Sequence, residues 1–491
     1  MHRVELTLPP LSPAPRSSQG LRRPRLTMLA LVLGAAPVIG VAAALNPLLG
    51  FAAVAAVAAA LVLSQRPDLA VFVMVAVAPA AAGLQRGLLV PGLRVSEASI
   101  VGLGALVLVF ASRERRPAWT PVEWFLLAYA GLTIAFGGLD LALRHASLEF
   151  EDFGTMLGPM QFVILLRAVI VAMGEERDRR RAIHLMLGVA AFVALVALAQ
   201  AADLGPTRSV LTTLTGGSLY DKSLGLGVGR ITGPFNIWHE LAGFLMPSIL
   251  MSLSLMIGAE DSGRRLRYGF VFAVTVMALI STAAAGMLIA TSIGALYICW
   301  RRRVLYVALA FAGPVVAIGL IAFGSILGNR AEQQYVTPSA TAYAIPYAPQ
   351  SVSYRYSLFR VQNAPALTGH WATGYGPDLP PQLALGNFPY SETAYVSLLL
   401  RGGIPLLLVF LAMLGCLIAT ARRCQREAED ELQWSLATVV LIATVSYLFL
   451  QLIESYLLDS GPPHAFWAYV GLMLAGSRRP FSRSGSRGSG S

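Results

Sequence analysis

Runs of roughly 17–25 apolar residues, the length that crosses about 30 Å of hydrocarbon as a helix, recur along nearly the whole chain. Short polar or charged breaks separate them. The pattern predicts spans over residues 27–45, 48–64, 69–84, 96–112, 121–139, 154–173, 182–202, 234–258, 267–282, 284–300, 303–324, 392–420, 433–455 and 463–477. That makes about fourteen crossings by the usual window of span lengths. The break between the ninth and tenth, at STAAAG (281–286), is the weakest of these boundaries. The expected architecture is all-α: a polytopic transmembrane helix bundle with one large outer loop.

The expected organisation is a cytoplasmic tail over 1–26, helices one to eleven over 27–323, the outer loop over 324–391, helices twelve to fourteen over 392–477, and a low-complexity tail over 478–491. The first span is followed by VAAAL (41–45), which imitates a signal-peptide cleavage site. It is read as a retained span, because removing it leaves an odd number of crossings. The loop 324–391 is rich in Pro, Tyr, Gln and Ser, and its aromatic residues argue for order. Within it, 354–367 suits a short amphipathic helix near the membrane surface, and 373–381 reads as a turn.

Composition strengthens the membrane reading. The chain has 491 residues, 56% of them apolar and only 13% charged, more apolar surface than a soluble protein of this size could bury. The net charge of +11 at first suggests nucleic acid. Placed along the chain, the arginines cluster in alternate breaks: Arg22, Arg23 and Arg25; Arg113, Arg115 and Arg116; Arg177 and Arg179–Arg181; Arg264, Arg265 and Arg267; Arg301–Arg303; Arg422, Arg423 and Arg426; Arg478 and Arg479. With the N-terminus inside, every one of these clusters is cytoplasmic. Positive-inside asymmetry accounts for the charge, and both termini are then cytoplasmic. No nucleic-acid partner is implied.

The three cysteines imply no disulfide framework. The chain carries no Walker A loop, HExxH, GxSxG elbow or Cys/His metal set, and no cofactor or metal is expected.

Candidate chemistry gathers on the outer side. Arg230 precedes ITGPFNIWHELAGFL (231–245), which brings Asn236, His239 and Glu240 to the start of span eight. Arg355 and Arg360 lie in the long loop. Gly374–Tyr375–Gly376 forms a turn whose backbone N–H groups could approach a ligand. SETAYVSLLLRGGIP (391–405) brings Glu392, Tyr395 and Arg401 to the start of span twelve, which then breaks at Gly402, Gly403 and Pro405. Polar groups at a membrane boundary cost free energy, so they are functional candidates. Arg167, at the inner end of span six, is read as snorkelling to the interface. Guanidinium groups hold phosphate oxygens in a bidentate fork, while a carboxylate or imidazole can take a proton from an attacking hydroxyl. A lipid-linked pyrophosphate at the outer membrane face fits that chemistry.

Taken together, these residues resemble the O-antigen ligase and O-antigen polymerase superfamily of bacterial envelope proteins. The carriers are Arg230 before TGPFN and HELAGFL, Arg355 through NAPAL to the GYG turn, and SETAYVSLLLRGGIP. The likeness covers roughly residues 200–420. It implies a GT-C-like, metal-independent glycosyltransferase of the bacterial inner membrane. Such a protein moves glycan from an undecaprenyl-pyrophosphate donor to a glycan or lipid acceptor, using no nucleotide sugar. By that resemblance Arg230 and Arg355 hold pyrophosphate and Glu392 supplies the general base. The residue reading adds Arg360, Asn236, Gly374, Gly376, Tyr395 and Arg401 as substrate-binding candidates and His239 as a second proton-transfer candidate.

Two positions depart from the family pattern. Ligases carry histidine where Ser391 or Glu392 stands, which favours a polymerase-like member over a lipid A-core ligase. A Ser-Arg pair expected after the ninth span is replaced by Thr282 followed by Ala283–Ala285. The alternatives are a non-catalytic polysaccharide export component and a degenerate scaffold member of the same family.

Overall fold

The computed structural model describes residues 61–63, 65–85, 94–111, 117–144, 150–215, 230–335, 345, 347–377, 393–458 and 461–477. The chain divides into a compact unit over 1–66 and a second over 67–491, and the architecture below is that of the second. Its helices are α1 (Pro67–Ala80), α2 (Val95–Phe110), α3 (Pro121–Arg144), α4 (Phe150–Ala172), α5 (Glu176–Ala201), α6 (Thr207–Thr215), α7 (Trp238–Gly258), α8 (Ser262–Ser281), α9 (Ala285–Arg302), α10 (Leu305–Tyr335), α11 (Gln350–Leu358), α12 (Ala364–Leu367), α13 (Ala394–Arg426), α14 (Glu431–Leu450) and α15 (Pro462–Gly476).

The protein is all-helical over the described residues. Six of the helical stretches are long and apolar enough to cross a membrane: Pro121–Leu143, Gly154–Ala172, Glu176–Ala201, Trp238–Gly258, Ala394–Arg426 and Glu431–Leu450. Pro67–Ala80, Val95–Phe110 and Gly313–Ser325 are shorter apolar pieces. The first expected span lies outside the described residues, as does nearly all of the second.

Helix α7 is the axis of the bundle. It packs on α5, α8, α9, α14 and α15, and every residue from His239 to Met256 is buried. Helix α15 is equally enclosed, from Pro462 to Ala475. Such all-round apolar helices belong in the interior of a membrane bundle, with more amphipathic ones around them. Small residues let the backbones approach. A side chain at Gly294 would strike Leu250 and Ile442, and one at Gly471 would strike Val169.

Several boundaries move relative to expectation. Helices α8 and α9 are separate: α8 ends at Ser281, Ala283 takes a left-handed φ of 51°, and α9 starts at Ala285. Helix α10 runs to Tyr335 with a bend at Phe323, so the first residues assigned to the long loop are helical. Helix α13 continues to Arg426, six residues past its expected end, because its last turns pack on α14 through Gln425 and Thr438. The amphipathic segment of the long loop is α11, a wider π-helical turn over Phe359–Asn363, and α12.

Arg167 does not snorkel. Its guanidinium donates to Glu123 at 2.9 Å and to the Pro117 carbonyl at 2.6 Å, and it lies over the Trp119 ring. Glu123 is fully enclosed and is also held by the Thr120 N–H and hydroxyl. An apolar stem reaching water costs less than a buried charge only where no counter-ion is near, and here one faces it.

The bundle has two chemically different ends. One, the near end, holds the starts of α7, α13 and α15 with the finishes of α3, α5 and α14; the Ala394 N–H donates to the Gln451 carbonyl there. At the far end lie Arg302 paired with Glu431, Arg179 beside Gly476, and the exposed Arg422, Arg423 and Arg426.

Candidate functional site at the near end of the bundle

The turn before α7 is built to hold one position. Gly233 takes a φ of 57°, and the N–H groups of Thr232 and Gly233 both donate to the Gln200 side chain on α5, at 3.2 and 2.8 Å. Phe235 is completely buried against Phe244, and its ring fills the space a side chain at Gly461 would need. The Asn236 amide nitrogen faces the carbonyls of Gly83 at 2.7 Å and Thr215 at 3.2 Å. Glu240 reaches back one turn to accept from the Asn236 N–H, satisfying a donor that the helix start leaves open. Asn236, expected to touch substrate, therefore ties the turn after α1 and the end of α6 to the start of α7.

This braced turn presents Arg230, whose guanidinium lies 4.1 Å from the centre of the Trp238 ring. Trp238 meets His239 edge to face at 5.3 Å, and His239 meets Tyr456 the same way at 5.8 Å. Tyr456 is buried against Gly243 and Tyr447, while the Tyr447 hydroxyl donates to the Gly243 carbonyl at 2.8 Å.

The organising carboxylate is Glu454. One oxygen accepts from Arg355 at 2.8 Å, and the other lies 3.8 Å from His239 Nδ1. The second distance is longer than a hydrogen bond, so the two groups face each other as an ion pair when the imidazole is protonated. All three side chains are largely enclosed, at 9% exposed for His239, 12% for Glu454 and 13% for Arg355. Arg355 also donates to the Ser351 carbonyl on its own helix at 3.2 Å. A cation, a carboxylate and an imidazole from three distant segments thus share one enclosed place. Nearby, Gln451 is fully buried, and its side-chain amide has no hydrogen-bond partner among the described residues. A buried amide in that state calls for a water or a polar ligand group.

The other expected residues fall into different roles. Glu392 lies outside the described residues. The Tyr395 hydroxyl donates to the Leu448 carbonyl and so caps the end of α14. Arg360 is exposed on the π-helical turn. Arg401 stands half-buried at the break in α13, and its carbonyl accepts from the Gly376 N–H.

The Gly374–Gly376 turn is the clearest correction. Gly402 and Gly403 leave helical geometry, so the carbonyls before them lose their partners within α13. The loop supplies replacements: Tyr375 N–H donates to Leu400 at 2.6 Å and Gly376 N–H to Arg401 at 3.1 Å, while Ile404 N–H donates to Trp371 at 2.7 Å. Gly374 N–H donates to His370 at 2.8 Å. The Tyr375 and Gly376 N–H groups lock the long loop onto the broken helix and the Gly374 N–H is taken up within the loop, so all three are engaged by the protein itself. Burial raises the Tyr375 phenol above its usual range, and its hydroxyl donates to the Ala366 carbonyl.

Glu454, Tyr456, Gln451 and Trp238 were not anticipated. The signal for Glu454 was present: a carboxylate closing an apolar span is a functional candidate on the same grounds as Glu392. Among the described residues no group of His, Cys, Asp and Glu could hold a metal ion. Comparison of the chain with protein-family models and with curated proteins gives no match.

Proposed function

We propose that this chain is a multi-pass glycosyltransferase of about fourteen spans that polymerises or ligates undecaprenyl-pyrophosphate-linked glycans. The proposal sets it in the bacterial inner membrane, with both termini cytoplasmic and the near end of the bundle facing outward. The single observation that carries the reading is the meeting of Arg355, Glu454 and His239, with Arg230 alongside. A phosphate-bearing donor needs fixed guanidinium groups in a partly dry site, and an acceptor hydroxyl needs a proton acceptor within reach. In this reading the acceptor oxygen bonds to the anomeric carbon as that carbon's bond to the pyrophosphate oxygen breaks. The pyrophosphate departs with the electron pair between Arg230 and Arg355. The hydroxyl proton goes to Glu392 or to the His239 imidazole, which Glu454 orients.

The purified full chain in lipid nanodiscs, given an undecaprenyl-pyrophosphate glycan and an acceptor glycan, is expected to lengthen the acceptor. Arg230→Ala and Glu392→Ala are each expected to abolish that product. Equal product from both variants defeats the catalytic assignment.

One observation favours the scaffold alternative: Arg355 is already paired with Glu454, and Arg230 already lies on Trp238. If the wild-type chain binds the lipid-linked donor yet transfers nothing to any acceptor, the scaffold reading replaces the enzyme.

A further inference from the structure

At the far end of the bundle the sequence WRRRVLY (300–306) joins α9 to α10. The middle arginine turns inward: Arg302 pairs with Glu431 and lies 3.8 Å from the centre of the Trp434 ring. Its neighbours do the opposite. Arg301 and Arg303 are exposed and have no ion-pair partner among the described residues. Together with Cys299, Trp300 and Tyr306 they line an open recess of about 400 Å³. Trp300 is 68% exposed and Tyr306 88%.

Two further features bear on this recess. Ile289, Ile293, Leu296 and Trp300 are all exposed and follow one another at helical spacing, so a continuous apolar stripe runs along α9 into it. Arg303 has a φ of 56°, a left-handed conformation that costs a residue with a Cβ and usually goes to glycine. Two unneutralised guanidinium groups, flanking aromatic rings and an apolar track form the two halves of a lipid site. Guanidinium forks fit phosphate oxygens, aromatic rings sit at headgroup depth, and the stripe matches an acyl chain.

We propose that this recess binds the phosphate head of an anionic membrane phospholipid, with one acyl chain along the Ile289–Trp300 stripe. The site is separate from the glycan-transfer reading and lies at the opposite end of the bundle. Charge complementarity selects the occupant: a zwitterionic head brings its own cation against Arg301 and Arg303, whereas phosphatidylglycerol does not.

The test uses the full chain in neutral detergent, with melting followed by intrinsic fluorescence as lipid is added to the micelles. A ligand of the native state raises the melting temperature by mass action. Phosphatidylglycerol is expected to raise it well beyond phosphatidylcholine, and inorganic phosphate at matched concentration is expected to leave it unchanged. Arg301→Gln with Arg303→Gln is expected to remove at least half of that shift, while Arg422→Gln, an exposed arginine at the same end, keeps it. Arg303→Gly relieves the left-handed strain, so it is expected to fold at least as well as wild type and still lose part of the shift. An equal response to phosphatidylcholine, an equal response to free phosphate, or an equal loss in Arg422→Gln each overturns the proposal. If the double variant does not fold, a photoreactive phosphatidylglycerol on the unaltered chain decides: labelling within 289–306 supports the site, and labelling confined elsewhere overturns it.

Discussion

Arg355 and Glu454 stand 99 positions apart in the chain and meet at 2.8 Å, one on a short helix of the long loop and the other just past the end of α14. Their side chains are only 13% and 12% exposed, so each charge depends on the other. Removing one partner of an enclosed pair strands the second and typically costs about 3–5 kcal/mol. Glu454→Gln is expected to approach that loss in thermal unfolding of the detergent-solubilised protein. Arg355→Met combined with Glu454→Leu is expected to recover most of it. An additive double mutant would show that the two groups do not interact.

Gln451 offers a way to separate stability from activity. Its amide is buried without a hydrogen-bond partner among the described residues, a state that costs roughly 1–3 kcal/mol. Gln451→Leu is expected to raise the melting temperature while lowering glycan transfer, as happens where a site holds an unsatisfied group for its ligand. A variant that is stabilised and fully active would assign Gln451 no part in the site.

The seam between the long loop and α13 depends on two glycines. Gly403 has a φ of 65°, and a Cβ there would come within 2.5 Å of the Ala372 carbonyl carbon; Gly374, also at 65°, would meet the Leu400 oxygen at 2.5 Å. Both contacts are with backbone, which cannot swing aside. Gly403→Ala and Gly374→Ala are each expected to cost at least about 2 kcal/mol, strain and collision together. Gly415→Ala, in open space on the same helix, should be neutral or slightly stabilising by helix propensity. Protease sensitivity of the loop should rise in the first two variants and not in the third.

Burial lifts the Tyr375 phenol above its ordinary value of 10.0. The unfolded chain therefore ionises first as pH rises. The stabilisation is complete below the unfolded value and is lost as pH climbs from there to the higher native one. Tyr375→Phe is expected to flatten that alkaline part of the stability profile. It also loses about 1 kcal/mol at neutral pH from the hydrogen bond to Ala366. An unchanged alkaline slope in the variant would mean that other groups produce it.

The Arg167–Glu123 pair is a test of the bundle independent of any site, with side chains 10% and 1% exposed. Glu123→Gln should destabilise by about 3 kcal/mol or more, and Arg167→Met with Glu123→Met should restore much of that. If Glu123→Gln melts like wild type, the charges are solvated and Arg167 reaches water after all.

What could be read from the residue order was whatever depends on local composition. Apolar runs of membrane length, the turn at 231–237, the break at Gly402–Gly403, the short helices of the long loop and the clustering of arginine all follow from spacing along the chain. These are consequences of backbone hydrogen bonding and side-chain hydration, and both act within a turn or two. The Arg230 motif was legible for the same reason, since a glycine, a proline and a back-reaching carboxylate define the start of α7 within eleven residues of one another.

Tertiary packing alone decided which polar groups face each other. Tyr395 and Glu454 both follow from where α14 ends: the first caps it, and the second is carried one turn beyond it to His239 and Arg355. The turn at Gly374–Gly376 reads as a ligand cradle in one dimension, but the carbonyls freed by the broken α13 occupy the Tyr375 and Gly376 N–H groups and the His370 carbonyl takes that of Gly374. Arg167 looks like a snorkelling cation until Glu123, at the start of the preceding helix, is brought opposite it. A charge or an open backbone group takes whichever partner the fold delivers, and that partner usually lies far along the chain.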